Sequence, residues 1–214
     1  MMDKMKLTQT LILVFLVFGI PSFLAQSHQS LWPVAWVACF GFLLNITGPK
    51  MDLLAGFKKT RTDGLSMLII VFAGILGFLI PTIDYLFFRQ SFTADISFFI
   101  GSSLAVFGLV FRIYSIRVLG RFFTARVEIK NDHELIRTGP YRMIRHPSYL
   151  GAWIMYLGTS IILQSLVGFI FCAVSFFLAY SYRTKIEEQS LGEQLGSAYT
   201  AYQSETWKMI PYVF

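Results

Sequence analysis

The sequence predicts an all-α, polytopic helical membrane protein, and three observations predict it. Of its 214 residues, 55% are hydrophobic and only 14% charged, against about 45–50% and about 25% in an ordinary soluble domain. The mean hydropathy is +0.60. About six apolar segments recur along the chain, and no stretch between them has the size or composition of a soluble domain.

The first segment, Leu7–Ala25, follows Lys4 and Lys6 as the core of a signal peptide would. A cut after Ala25 would place Phe23 where a small residue is wanted, so a retained helix is expected. A short break at 26–30 makes it a hairpin with Leu31–Ile46. Leu65–Phe88 and Ile96–Leu119 each have the length of a membrane span. The last two segments are Tyr149–Leu163 and Leu166–Tyr182, and positions 149–182 hold 34 residues without a charge. As one helix they would reach about 51 Å, well beyond a hydrocarbon core of about 30 Å. Gln164 and Ser165 supply a turn, so two short helices in a tight hairpin are expected. The organisation is therefore 1–95 as N-terminal transmembrane helices and 96–214 as a core bearing a cytoplasmic loop and tail.

The net charge of +6 does not point to nucleic acid, because the basic residues sit between the apolar segments. By parity the N-terminus, residues 47–64, the 120–148 loop and the tail from Arg183 share one face. That face takes fifteen of the eighteen Lys and Arg residues, which makes it cytoplasmic. A bacterial inner membrane is placed ahead of the endoplasmic reticulum. Cys39 and Cys172 lie inside apolar segments and read as small core residues. Asp132, His133 and Glu134 are consecutive on a loop and do not converge, and His28 lies on the opposite face, so no metal is expected. Neither a P-loop nor a dinucleotide fingerprint is present, so a nucleotide-like cofactor would be held by loops and helix ends.

Chemistry is expected where Arg137, Gly139, Pro140, Tyr141, Arg142, Arg145, His146, Pro147, Tyr149 and Gly151 crowd the entrance of the final hairpin. Arginines alone would set topology, whereas the prolines and glycines fix backbone geometry. This reads as a ligand-binding loop. Arg112 lies about 7–8 Å deeper in its segment than Arg117. Arg117 and Arg121 can snorkel to the interface, but Arg112 needs an interior partner, and its fork suits a carboxylate or phosphate. Glu187 stands four residues after Arg183, on the same helical face. Glu187 and Glu188 either brace the helix exit or accept bonds from the amino or ribose groups of a cofactor. The tail, with Tyr199, Tyr202, Trp207 and Tyr212, is either an interfacial anchor or a lid across the loop.

Leu119-Gly120-Arg121-Phe122-Phe123-Thr124, then the Gly139-Pro140-Tyr141-Arg142 and Arg145-His146-Pro147-Ser148-Tyr149 runs with Gly151, resemble the isoprenylcysteine carboxyl methyltransferase family. So do Arg183, Glu187, Glu188 and Leu191, with Gly196, Tyr199, Tyr202 and Ile210-Pro211 after them. The resemblance covers roughly residues 104–214. It implies S-adenosylmethionine-dependent O-methylation of the carboxylate of a prenylated cysteine, or a similar lipophilic acid, at the cytosolic membrane face. It implies cofactor contacts from Tyr141, His146, Pro147, Tyr149, Gly151, Glu187 and Glu188. Arg112 matches a family arginine implicated at the substrate carboxylate, so Arg112 and Tyr149 are expected at the reacting groups. Implied partners are a lipophilic or prenylated substrate and membrane lipid. Phospholipid N-methyltransferases and NADPH-dependent membrane sterol reductases carry similar loops; the Glu187-Glu188 pair favours methyl transfer.

Overall fold

Long apolar runs in which proline and glycine are sparse fold here as helices. The computed structural model describes residues 4–25, 30–48, 61–89, 92–123 and 135–212. His28, Lys50, Lys58, Lys59, Arg126, Lys130 and the Asp132-His133-Glu134 trio lie outside the described residues. Among the described residues there is no strand, and Ile144 and Trp207 form an isolated parallel bridge.

Helix α1 (Lys4–Val14) passes through a π-helical stretch, Phe15–Gly19, into α2 (Ile20–Ala25). Next come α3 (Trp32–Thr47) and α4 (Arg61–Ile83), which ends in a π-helical turn, Asp84–Phe88. Helix α5 is Ile96–Leu119, α6 is Pro147–Ile162, α7 is Leu166–Leu195 and α8 is Ser197–Glu205. Four helical stretches are long and apolar enough to cross a bilayer: Lys4–Ala25, Leu65–Phe88, Ile96–Phe122 and Leu166–Leu195, while Trp32–Thr47 is apolar but shorter. The protein is an integral, all-helical membrane protein.

The final hairpin turns where the sequence predicts, with Gln164 in the left-handed region at φ +53° and the Ser165 hydroxyl capping α7 through Gly168 N. Only its first arm is short. Helix α6 has 16 residues, about 24 Å, but α7 has 30, not the two short helices expected. Nothing after Tyr182 breaks the helix until Gly196 at φ +54°. The Arg183–Glu187 pair, four residues apart, supports the extension.

Helices α5 and α6 touch backbone to backbone. A Cβ placed on Gly108 would lie 2.5 Å from both Gly151 O and Met155 N, and one on Gly151 would lie 2.7 Å from Arg112 N. Such close approach is the usual use of small residues between membrane helices. On the other side, α4 packs on α7 above a ring cluster in which Tyr156 and Phe176 stack at 4.2 Å.

Two polar ends frame this core. At one, Gln164 donates to Thr93 O at 3.0 Å and Asp95 Oδ1 at 3.2 Å, and the Tyr85 hydroxyl donates to Ser30 O at 2.7 Å. At the other, Lys6 donates to Ile46 O and Gly48 O. That second end also gathers the start of α4, the end of α5, the start of α6 and the charged extension of α7. It holds the candidate site.

Candidate active site

The loop before α6 is built by its special residues. Gly139 adopts φ +57°, opening a 3-10 turn, Gly139–Arg142, with Pro140 in its first positions. Pro147 starts α6 at a position where a missing N–H costs no helical bond. Between these turns, Arg145 and His146 are pinned from behind by the tail. Trp207 N donates to Met143 O at 2.9 Å, Arg145 N to Trp207 O at 2.9 Å and His146 N to Lys208 O at 3.0 Å. The Tyr202 hydroxyl donates to Tyr141 O at 2.6 Å. The tail thus lies across the loop, as a lid would, with Tyr199, Tyr202 and Met209 buried.

His146 is the centre of the cluster. Its Nδ1 lies 3.3 Å from Glu187 Oε2 and its Nε2 3.3 Å from Glu188 Oε1. Two ionised carboxylates only accept, so their placement on both ring nitrogens favours the protonated ring. Burial opposes that charge, but hydrogen bonds and charges from Glu187 and Glu188 outweigh it, and the His146 pKa is raised above its ordinary value.

Each carboxylate is drawn further into the protein. Glu187 Oε1 accepts from the Tyr149 hydroxyl at 2.6 Å and from Arg183 Nε at 2.9 Å. Glu188 Oε1 accepts from Arg145 Nε at 2.7 Å, and Glu188 Oε2 lies 3.5 Å from Lys208 Nζ. Arg145 also donates to Gln203 O, Thr206 O and Thr206 Oγ1. These contacts form a brace at the helix exit, one of the two sequence readings of the Glu pair. The network welds loop, α7 and tail into one piece.

The Tyr149 ring stacks on Tyr180 at 4.7 Å and on His146 at 5.8 Å. Deeper, Arg112 on α5 donates from one terminal nitrogen to Ser148 O at 3.1 Å. Its Nε is buried without a hydrogen-bond partner, an unusual state for a charged donor. The structure thus brings Tyr149, His146, Glu187 and Glu188 together, with Pro147 shaping the turn and Tyr141 buried behind it. Arg112 stands one layer below, and Gly151 faces α5 rather than the cluster.

Sequence reasoning missed Ser66 and Lys208 as members of this network. Ser66 donates nothing to a motif; it accepts from an Arg183 terminal nitrogen at 2.9 Å across 117 positions of chain. Lys208, alone among tail aromatics, carries a weak signal only.

Fold and site together define a polytopic helical membrane protein with a buried charged cluster at one end of its helices. Residues 101–193 match the isoprenylcysteine carboxyl methyltransferase (ICMT) family, and the chain is related to that family through this core. Relatives are the protein-S-isoprenylcysteine O-methyltransferases of Dictyostelium discoideum (32% identical, covering 64% of this chain and 58% of that protein) and Saccharomyces cerevisiae (34%, covering 64% and 57%). Protein-S-isoprenylcysteine O-methyltransferase B of Arabidopsis thaliana is 29% identical, covering 70% of this chain and 79% of its own. The chain spans a little under three fifths of the first two relatives. The solved structure of the eukaryotic intramembrane Ras methyltransferase ICMT aligns with a TM-score of 0.56 at 23% identity, covering 84% of this chain and 63% of that one. That likeness shows the fold.

Proposed function

We propose that the protein is an S-adenosylmethionine-dependent methyltransferase that O-methylates the carboxylate of a prenylated cysteine or a similar lipophilic acid. The observation that carries this reading is the His146 ring held between Glu187 and Glu188, inside the segment matching the family. Beneath it lies an arginine with a buried, unpartnered Nε. The methyl donor carries cationic amino and sulfonium groups, and this cluster fits them. Glu187 and Glu188 supply negative charge for the cationic groups, and the stacked rings of His146, Tyr149 and Tyr180 offer flat apolar surface.

In this reading Tyr141, His146, Pro147, Tyr149, Glu187 and Glu188 hold or shape the cofactor site, Gly151 sets the contact with α5 beside it, and Arg112 and Tyr149 face the reacting groups. The cofactor supplies an electrophilic methyl group. An acceptor carboxylate with a pKa of about 3.3–3.7 is ionised at neutral pH, so no general base is required. The protein's tasks are orientation and exclusion of water. Arg112 orients the acceptor oxygen, and the tail and aromatic rings keep water out. A protonated lipid amine would need a proton acceptor, and Arg112 cannot be one. The acceptor's apolar part enters from the bilayer and the cofactor from the face carrying the basic loops, which the positive-inside rule makes the cytoplasmic one. For the membrane itself, the sequence reading of a bacterial inner membrane stands beside eukaryotic relatives, and fractionation of the source cells decides.

The test is ligand-dependent melting of the detergent-solubilised protein. S-adenosylhomocysteine at 100 times its Kd should stabilise it by about 2.7 kcal/mol, while NADPH should not. Methyl transfer to an S-prenylcysteine should then give a base-labile ester. Stabilisation by NADPH alone would establish a reductase instead, and methylation of a phospholipid amine an N-methyltransferase.

A further inference from the structure

The N-terminal half of the chain carries no site motif, and the family match begins only at residue 101. Yet among the described residues α4 sends a polar group, Ser66, into the cluster. Ser66 sits near the start of α4 with 0% exposure, and Arg183 is 2% exposed. A guanidinium removed from water needs its donors satisfied and its charge balanced. Here Nε takes Glu187 Oε1 at 2.9 Å, and a terminal nitrogen takes Ser66 Oγ at 2.9 Å. The same Glu187 oxygen accepts from Tyr149 at 2.6 Å, and the other Glu187 oxygen faces His146. A short chain of bonds therefore runs from α4 through Arg183 and Glu187 to the two rings at the centre of the site.

We propose that Ser66 is a positioning residue, fixing the guanidinium plane of Arg183 and through it the Glu187 carboxylate that orients Tyr149 and His146. This deepens, and rests on, the reading of the cluster as a methyl-donor site. It gives the N-terminal helices a role in catalysis beyond filling the bilayer. The fit of α4 is close enough to enforce it. A Cβ on Gly74 would lie 2.9 Å from the Tyr156 hydroxyl, and one on Gly77 3.0 Å from Phe176. Helix α4 therefore has little freedom to slide along α6 and α7.

The test uses the whole 214-residue chain in detergent with two readouts. The first is solvent exchange of the Arg183 Nε–H, followed by NMR of arginine-labelled protein and assigned by its absence in Arg183→Lys. The second is the Kd for S-adenosylhomocysteine. Ser66→Ala should speed the exchange and weaken the ligand, each about tenfold, while Ser66→Thr, which keeps the hydroxyl, should restore both. Thr82→Ala is the control for general loosening, since Thr82 is a buried hydroxyl on the same helix that, among the described residues, bonds its own turn at Phe78 O. It should leave both readouts unchanged. Wild-type exchange and affinity in Ser66→Ala, or equal losses in Thr82→Ala, would overturn the proposal. If exchange responds to Ser66→Ala but the wild-type protein binds no S-adenosylhomocysteine, the positioning of Arg183 stands and the methyl-donor reading falls.

Discussion

A guanidinium has five N–H donors, and Arg112 commits one terminal nitrogen to Ser148 O while its Nε stays buried and unpartnered. Such a group is costly in a finished interior and useful in a site that awaits an anion. Arg112→Lys keeps the charge and loses the fork. Turnover should fall at least about tenfold, a change of about 1.4 kcal/mol in the barrier, with S-adenosylhomocysteine affinity little altered. A lower cofactor affinity at normal turnover would place Arg112 against the methyl donor's own carboxylate, and full activity would make it structural. His146 yields a prediction of another kind. Its pKa is raised in the folded protein by Glu187 and Glu188 despite burial, so the protonated ring stabilises the fold. That contribution is complete below the unfolded value of about 6.5 and is lost as pH rises through the raised folded value. The apparent Tm of the ligand-free protein should decline across this alkaline window, and His146→Asn should flatten the decline. An equal slope in both proteins would remove His146 as its source.

At the scale of elements, the contact of α5 with α6 fixes where the loop residues arrive. Gly108→Ala would push a methyl carbon to 2.5 Å from the backbone of α6, and backbone cannot yield as a flexible side chain does. The helices must separate, so a loss of at least about 1–3 kcal/mol is expected, read as a lower Tm in detergent. An unchanged Tm would show that the pair is not packed this tightly. Much at this scale was legible in the sequence. Apolar length located the helices, the uncharged run at 149–182 with Gln164 and Ser165 located the hairpin, and Gly139, Pro140 and Pro147 marked the turns. What was illegible depends on distance in the chain. Nothing near Ser66 announces a partner 117 positions on, and Gly151 reads equally as a loop glycine or a helix-contact glycine until α5 is beside it. The length of α7 was misjudged because charge marks where a helix leaves an apolar environment, not where it ends.

At the scale of the whole molecule, the two polar ends differ in charge and chemistry, and this gives the fold a direction. The end holding Gln164, Thr93 and Asp95 is neutral to acidic in character and braced by amide and hydroxyl bonds. The other collects Lys6, Arg145, Arg183 and Lys208, and there α7 continues as a helix beyond its uncharged run. With 30 residues, α7 reaches about 45 Å, longer than a core of about 30 Å, so its charged end projects from the bilayer with α8 folded back on the loop. Basic end inside is the expected orientation. Cys39 is exposed and Cys172 buried; with both replaced by alanine, single cysteines at Ala94, Gln189 and Ser204 report on the two ends, since all three positions are exposed. A membrane-impermeant maleimide should reach Gln189→Cys and Ser204→Cys only from the cytoplasmic side, and Ala94→Cys only from the opposite side. Labelling of Ser204→Cys from the side that labels Ala94→Cys would break the parity of the helices. Labelling of all three with the sides exchanged would keep the fold but move the cluster away from the cytoplasm, and a cytoplasmic methyl donor could then no longer reach it.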